Sequence, residues 1–277
     1  MFRGMEKDMR NNKDRNKNDI CQYGLKLWKI SSFMLLLFSL FMIGTTLYGL
    51  KKENDYFEVL AAAKEEQMTV KNKESSIEEE QKNDPIKYEK LVTQNKDFFG
   101  WIKIENTPLD YPVMYSPDDP EFYLSHDFEK NKSISGVPFV DGDYTEGCGI
   151  YIIYGHNMKN GTMFHTILGY KDYDFWQQHK IITFHTLSED QTYEVVSAFY
   201  SKTYRKDEKN VFRFYNYKDI RDEKTFYEFA GNVKESALYE TGEMPIYGDE
   251  LLVLVTCSYH MEEGKFVVVA RRIQQQE

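Results

Sequence analysis

Three rhythms of hydrophobic and polar residues divide the chain. The first is a charge-free run from Ile30 to Leu50, ISSFMLLLFSLFMIGTTLYGL. Its 21 residues, at about 1.5 Å each, span about 30 Å, the thickness of a bilayer's hydrocarbon core. A cleaved signal peptide has a shorter apolar core of roughly 7–15 residues and ends at a small-residue site. Thr45-Thr46-Leu47-Tyr48-Gly49 is a poor site of that kind. The pattern predicts a retained transmembrane anchor. Residues 1–29 carry eight Lys/Arg against four Asp/Glu, and a positive flank stays in the cytoplasm. The expected order is a cytoplasmic basic tail, 1–29, an anchor, 30–50, and everything from Lys51 outside. Cys21 then lies in the cytoplasmic tail and is given no role.

The second rhythm covers residues 51–83, rich in Lys, Glu, Asn and Gln, with a weak helical pattern at Tyr56-Phe57 and Val59-Leu60. Charge runs such as Glu78-Glu79-Glu80 read as a solvated face. This segment is expected to be a stalk, part helical and part disordered. Asp84-Pro85 then opens a better helix, with Asp as N-cap, Pro at the first position, and Ile86, Tyr88, Leu91 and Val92 on one face.

The third rhythm is of period two, broken into short apolar runs. Trp101–Ile104 and Leu109–Met114 read as strands around the turn Glu105-Asn106-Thr107-Pro108, and Gly136–Val140 as another. Gly149–Tyr154 is a strongly buried strand, 163–179 holds one or two short helices, and Ile181–Leu187 and Thr192–Tyr200 are further strands. A long insertion, 203–248, is helical by spacing from Asp219 to Tyr239 through Ile220, Phe226, Phe229, Val233 and Leu238. Leu251–Cys257 and Lys265–Arg271 close the chain as two buried strands around a short polar turn. The fold class expected over 84–277 is mainly β with helical insertions: an eight-stranded β-barrel of mixed topology.

Composition narrows the function. Aromatic residues make up 16% of the 277, including 21 Tyr and 19 Phe, which supports a large core. Three cysteines, Cys21, Cys148 and Cys257, are too few for a disulfide scaffold. Net charge is −10, and the part beyond the tail is more acidic still, with 27 Lys/Arg against 41 Asp/Glu. That disfavours nucleic acid or another polyanion as partner.

Cys257 stands where a buried strand runs out, a position that holds a nucleophile rigidly beside a solvent-open loop. The opposing reading is a core cysteine, since free cysteine is among the most buried residue types. A thiol nucleophile needs a base or ion-pair partner. Of the six histidines, His156 also follows a buried strand, in Gly155-His156-Asn157-Met158. A parallel pairing of the two strands would bring His156 beside Cys257. His260, three residues from Cys257, is the rival. Cys148 lies about 26 Å before His156 at strand rise, at the far end of the barrel, and is read as structural. For a tetrahedral oxyanion the candidates are Lys265, across the turn from Cys257, and the backbone N–H of Ser258. Arg271 shares a strand face with Lys265 but lies about 20 Å further along.

These residues resemble the sortases, and within them class B. The resemblance runs from about Asp84 to Ile273. It rests on Asn95-Lys96-Asp97-Phe98-Phe99-Gly100-Trp101-Ile102, Asp110-Tyr111-Pro112-Val113, Tyr154-Gly155-His156-Asn157-Met158, Val255-Thr256-Cys257 and Phe266-Val267-Val268-Val269-Ala270, in that order. The helix ahead of the barrel and the long insertion before the cysteine strand also look like class B. The resemblance implies a sortase-type barrel and a membrane-anchored cysteine transpeptidase of Gram-positive envelopes. Such an enzyme cleaves a C-terminal sorting motif of the Asn-Pro-x-Thr-x type on secreted proteins. It holds the acyl part as a thioester and passes it to an amine of peptidoglycan or its lipid-linked precursor.

Carried over by position, Cys257 is the nucleophile and His156 the general acid. Tyr154, Val255 and Ser258 lie where substrate binds, and the insertion forms a wall of the groove. No cofactor is implied, and no metal site is proposed. The family has arginine where this chain has Lys265, which keeps the charge but not the planar fork of donors. Three readings follow. Lys265 serves as a weaker oxyanion donor; Arg205 or Arg213 reaches in from the insertion; or the chain binds envelope components with weak or no catalysis. A cell-wall cysteine hydrolase or protease, with water in place of the amine, is the remaining alternative.

Overall fold

The computed structural model describes residues 28, 29, 31–62, 64 and 88–273. Residues 1–27 of the expected tail, with Cys21, most of the stalk and the Asp84-Pro85 helix start lie outside the described residues. The described chain falls into two compact units, one ending at Lys52 and the other beginning at Glu53.

The apolar run forms a continuous helix, α1 (Ser31–Ala62), whose 32 residues are long and apolar enough to cross a membrane. Its last turns differ from the expected stalk. Phe57 and Leu60 are buried in the core of the second unit, and Phe57 meets Tyr111 edge-on at 5.4 Å. Just beyond, Lys64 Nζ donates to Asp110 Oδ1 at 3.0 Å and lies 4.7 Å from the Trp101 ring centre. The physical reason is local. Tyr56, Phe57 and Leu60 sit three and four apart, so one face of an otherwise charged helix is apolar and takes cover against the barrel. A second helix, α2 (Glu89–Gln94), follows, with Tyr88 and Leu91 buried.

Eight strands then close a barrel: β1 (Phe98–Lys103), β2 (Asp110–Met114), β3 (Phe139–Val140), β4 (Ile150–Tyr154), β5 (Ile181–Thr186), β6 (Asp190–Lys202), β7 (Leu251–Cys257) and β8 (Gly264–Ile273). Their order around it is β1-β2-β3-β4-β7-β8-β6-β5. β3 is shorter than the run Gly136–Val140 suggested. Gly136 has φ of 57°, and a Cβ there would stand 2.4 Å from the Tyr123 carbonyl oxygen. The chain therefore turns in the left-handed region open to glycine before it can pair. Residues 163–179 form a 3-10 helix, Phe164–Lys171, and α3 (Tyr173–Gln178).

The pairing that positions the site lies at the end of the chain. β4 and β7 are parallel, with Tyr154 opposite Val255; β7 and β8 are antiparallel, with Cys257 opposite Lys265. β7 is buried from Leu251 to Thr256. Its alternate residues feed two cores. Leu252 and Leu254 join the main core with Phe266, Val268 and Ala270. Leu251, Val253 and Val255 join a second one with Val267 and Val269. The lid of that second core is α4 (Glu223–Ser236) in the insertion, capped by Asp222, whose carboxylate accepts from Thr225 N–H. Phe226, Phe229, Ala230 and Val233 are its buried face, at helical spacing. Cys148 is buried in the same core, its Sγ 3.1 Å from the Ile150 carbonyl oxygen, as a structural cysteine should be.

The packing of Phe57 yields a test of where the folded unit begins. Phe57→Ala in the full-length chain is expected to cost about 3–5 kcal/mol in denaturant unfolding. A change within about 0.5 kcal/mol, typical of an exposed site, would place Phe57 on a free stalk.

Candidate active site

The ends of β4 and β7 are stapled together. Gly155 N–H donates to the Val255 carbonyl at 3.1 Å. Thr256 Oγ1–H donates to the Gly155 carbonyl at 2.7 Å, and Asn157 Nδ2 to the Cys257 carbonyl at 2.9 Å. A Cβ at Gly155 would stand 2.6 Å from the Phe164 ring, so the turn that carries His156 needs a glycine there. Between these bonds, His156 and Cys257 open on one cleft of about 540 Å³. Its walls include Glu121 and Leu124, and Phe214, Tyr215 and Lys218 of the insertion.

Cys257 is the last residue of β7 and is half-buried, whereas the strand before it is sealed. Its side chain follows the alternation of Val253 and Val255 and so emerges on the insertion side, where that cover ends. Across the strand pair, Lys265 Nζ donates to Cys257 Sγ at 3.5 Å. The imidazole is held by a different group: His156 Nε2–H donates to the Leu124 carbonyl at 2.8 Å. That bond assigns the hydrogen to Nε2 and leaves Nδ1 as the other ring atom. His156 and Cys257 thus share the cleft, with the ring bonded to Leu124 rather than to the thiol.

The other expected residues divide. Tyr154 and Val255 line the cleft. Tyr154 O–H donates to Asp141 Oδ2 at 3.0 Å, and Lys218 Nζ forms an ion pair with the same carboxylate. Burial, and then the Asp141 charge, push the Tyr154 phenol well above its ordinary value, so it remains a neutral donor. Ser258 is buried behind the cleft, and its N–H donates to the Gly264 carbonyl at 2.8 Å. That N–H is therefore occupied, and the oxyanion role expected of it is not supported by the geometry. His260 Nδ1 lies 2.9 Å from Ser258 Oγ and its ring 4.7 Å from the Tyr200 ring, so it is turned from the thiol.

The arginines of the insertion do not reach in. Arg213 donates to the carbonyls of Arg205 and Glu208, at 2.6 and 2.8 Å, and Arg205 pairs with Asp207. Arg271 is engaged by Glu194 and Glu243. Of the cationic residues considered, Lys265 is the one against Cys257.

Two participants carried no usable sequence signal. The Leu124 carbonyl that holds His156 is a main-chain atom 32 residues away. Asn157 binds both Cys257 and, through Oδ1, His165 Nδ1 at 2.8 Å. It lay inside a noted motif, but a lone Asn beside a His does not announce a bond to a strand 100 residues on. Among the described residues, no group of three or more His, Cys, Asp or Glu is placed to hold a metal ion.

Comparison with known proteins agrees with this geometry. The sortase-domain family matches residues 102–273. Sortase B of Listeria monocytogenes is 27% identical over 245 residues, covering 86% of this chain and 92% of that protein. Sortase B of Staphylococcus aureus is 30% identical over 190 residues, covering 67% of this chain and 74% of that protein. The fold also matches a solved structure of a Staphylococcus aureus sortase B–substrate complex, with a TM-score of 0.68 and 25% identity, over 82% of this chain and 98% of that one. With a closed eight-stranded barrel and a cysteine, a histidine and a lysine on one cleft, the chain belongs to the sortase family of cysteine transpeptidases, in its class B branch.

Proposed function

We propose that this transpeptidase cleaves a C-terminal sorting motif of the Asn-Pro-x-Thr-x type on secreted proteins. It carries the acyl part as a thioester on Cys257 and transfers it to a cell-wall amine, of peptidoglycan or its lipid-linked precursor. It works from the outer face of a membrane spanned by residues 30–50, with the basic tail inside. The observation that carries this reading is the Lys265 Nζ–Cys257 Sγ contact, in a cleft shared with His156.

In this mechanism Lys265, as an ammonium, is counter-ion to the Cys257 thiolate. The thiolate adds to the threonine carbonyl carbon, and the negative charge moves to the carbonyl oxygen. That oxygen is two bonds from the sulfur, and the flexible stem of Lys265 lets its ammonium serve the oxygen in turn. His156, protonated, gives a proton to the departing amine as the C–N bond breaks, leaving the thioester. The acceptor amine then attacks the thioester carbon, gives up its proton to His156, and expels the thiolate. Leu124 steadies the ring throughout, by its bond to Nε2. Asn157 fixes the Cys257 backbone. Tyr154 and Val255 line the substrate path, Ser258 supports the strand end from behind, and Lys218 forms part of the wall.

Two measurements test these roles. Iodoacetamide should alkylate Cys257 and spare buried Cys148. Loss of one charge-assisted hydrogen bond to sulfur, about 1–2 kcal/mol, should slow that reaction roughly tenfold in Lys265→Ala and much less in Lys265→Arg. Equal rates in all three proteins would remove Lys265 from the site. Second, full-length chain in detergent micelles at neutral pH, given an Asn-Pro-x-Thr peptide, should promptly gain the mass of the acyl fragment and lose it when an amine is added at once. Cys257→Ala should form no adduct, and His156→Ala should cleave roughly 10²–10⁴-fold more slowly. Cleavage that yields only hydrolysed peptide, whatever amine is added, would make the chain a hydrolase on this substrate.

A further inference from the structure

A second fate for the thioester follows from what stands beside it. Cys257 and Lys265 are direct partners across β7 and β8, and Ser201 of β6 flanks Lys265 on its other side. Buried residues on both strands hold this register, Leu251–Thr256 on one and Phe266–Ala270 on the other. Lys265 is half-buried, opens on the cleft, and among the described residues has no carboxylate partner. Its amine therefore faces the sulfur at 3.5 Å.

While the sulfur is a thiolate, it is the counter-ion of the lysine ammonium. Acylation makes the sulfur neutral, and the ammonium loses the anion it faced. The carbonyl carbon of a thioester is bonded directly to that sulfur. Nζ stands 3.5 Å from that sulfur, so a free amine here is one C–S bond from the carbonyl carbon, and an amine held beside a reacting carbon has a high effective molarity. Lysine can present such an amine. Arginine could not, because a guanidinium is not deprotonated in proteins.

We propose that Lys265 is itself an acyl acceptor, and that in the absence of an external amine it takes the peptidyl group from Cys257. The inference rests on the thioester of the proposed function. The ammonium first gives one proton to solvent; the Nζ lone pair then adds to the thioester carbonyl carbon, the C–S bond breaks, and sulfur leaves with the electron pair. The proton lost by the amine returns to that sulfur, directly or through His156. Cys257 is again a thiol, and the substrate is joined to Lys265 by an amide bond. No oxidant, reductant or co-reactant enters. The step converts a catalyst without an acceptor into the carrier of its own substrate, and it removes Lys265 from further rounds.

The test uses the full-length chain in detergent micelles without added amine. One sample receives the Asn-Pro-x-Thr peptide, a second a preformed peptide α-thioester that loads Cys257 by thiol exchange. Hydroxylamine cleaves thioesters and leaves amides. In alkaline buffer, a hydroxylamine-resistant adduct is expected to build up and to map to Lys265 by fragment mass spectrometry. It should be absent from Cys257→Ala. In Lys265→Arg the adduct should stay on Cys257, remain hydroxylamine-labile and last about tenfold longer or more. A loaded Cys257 that stays labile beside unmodified Lys265 overturns the inference. So does equal Lys265 modification in Cys257→Ala. Loading from the peptide thioester but not from the sorting peptide overturns the substrate reading alone, and the thioester sample still decides the fate of Lys265.

Discussion

The structure depends on the burial of β7 on both faces between a parallel and an antiparallel neighbour. Its alternating residues serve two cores at once, so neither face can turn to solvent. A shift of one residue in its pairing would exchange the two sets and carry Cys257 to the wrong face. Register here is therefore set by about a dozen apolar side chains on β4, β7 and β8, and the direction of one thiol is a consequence of it. Parallel pairing with β4 brings His156 to the same rim, and antiparallel pairing with β8 brings Lys265.

The insertion between β6 and β7 has two duties that follow from the same burial. α4 covers the second core, and Ile220 N–H donates to the Cys148 carbonyl at 2.9 Å, tying the insertion to the start of β4. Beyond the reach of α4, the cover stops one residue pair short of the strand end, and the cleft opens there. Phe214, Tyr215 and Lys218 become its wall rather than its lid. Lys218 is anchored by Asp141 Oδ2, the oxygen that also accepts from the phenol of Tyr154, so wall and floor are joined through one carboxylate.

The chemistry of the site is economical in charge. One cation meets the sulfur, one imidazole is held by a main-chain carbonyl, and one amide side chain fixes the nucleophile's backbone. A lysine in this place is a point charge on a flexible stem, able to follow charge from sulfur to oxygen. Unlike arginine, it can also be deprotonated to a neutral amine.

Much of this was legible in the sequence. The period-two runs marked the strands, and the spacing of Phe226, Phe229 and Val233 marked α4, because burial on one face leaves a periodic trace. The continuous apolar run of β7 signalled burial on both faces, and the matched ends of two such runs suggested the parallel pair that brings His156 and Cys257 to one cleft. The apolar length of α1 was likewise plain. Local pattern could not reveal contacts whose partners are distant or are main-chain atoms. The Leu124 carbonyl under His156, the Gly264 carbonyl that occupies Ser258, and the burial of Phe57 in a charged segment are all of this kind. Sequence determined which residues could carry the chemistry. Only the tertiary structure decided that Lys265, and not Arg205, Arg213 or the Ser258 amide, stands against the sulfur, because strand register and hydrogen-bond competition are properties of the closed barrel.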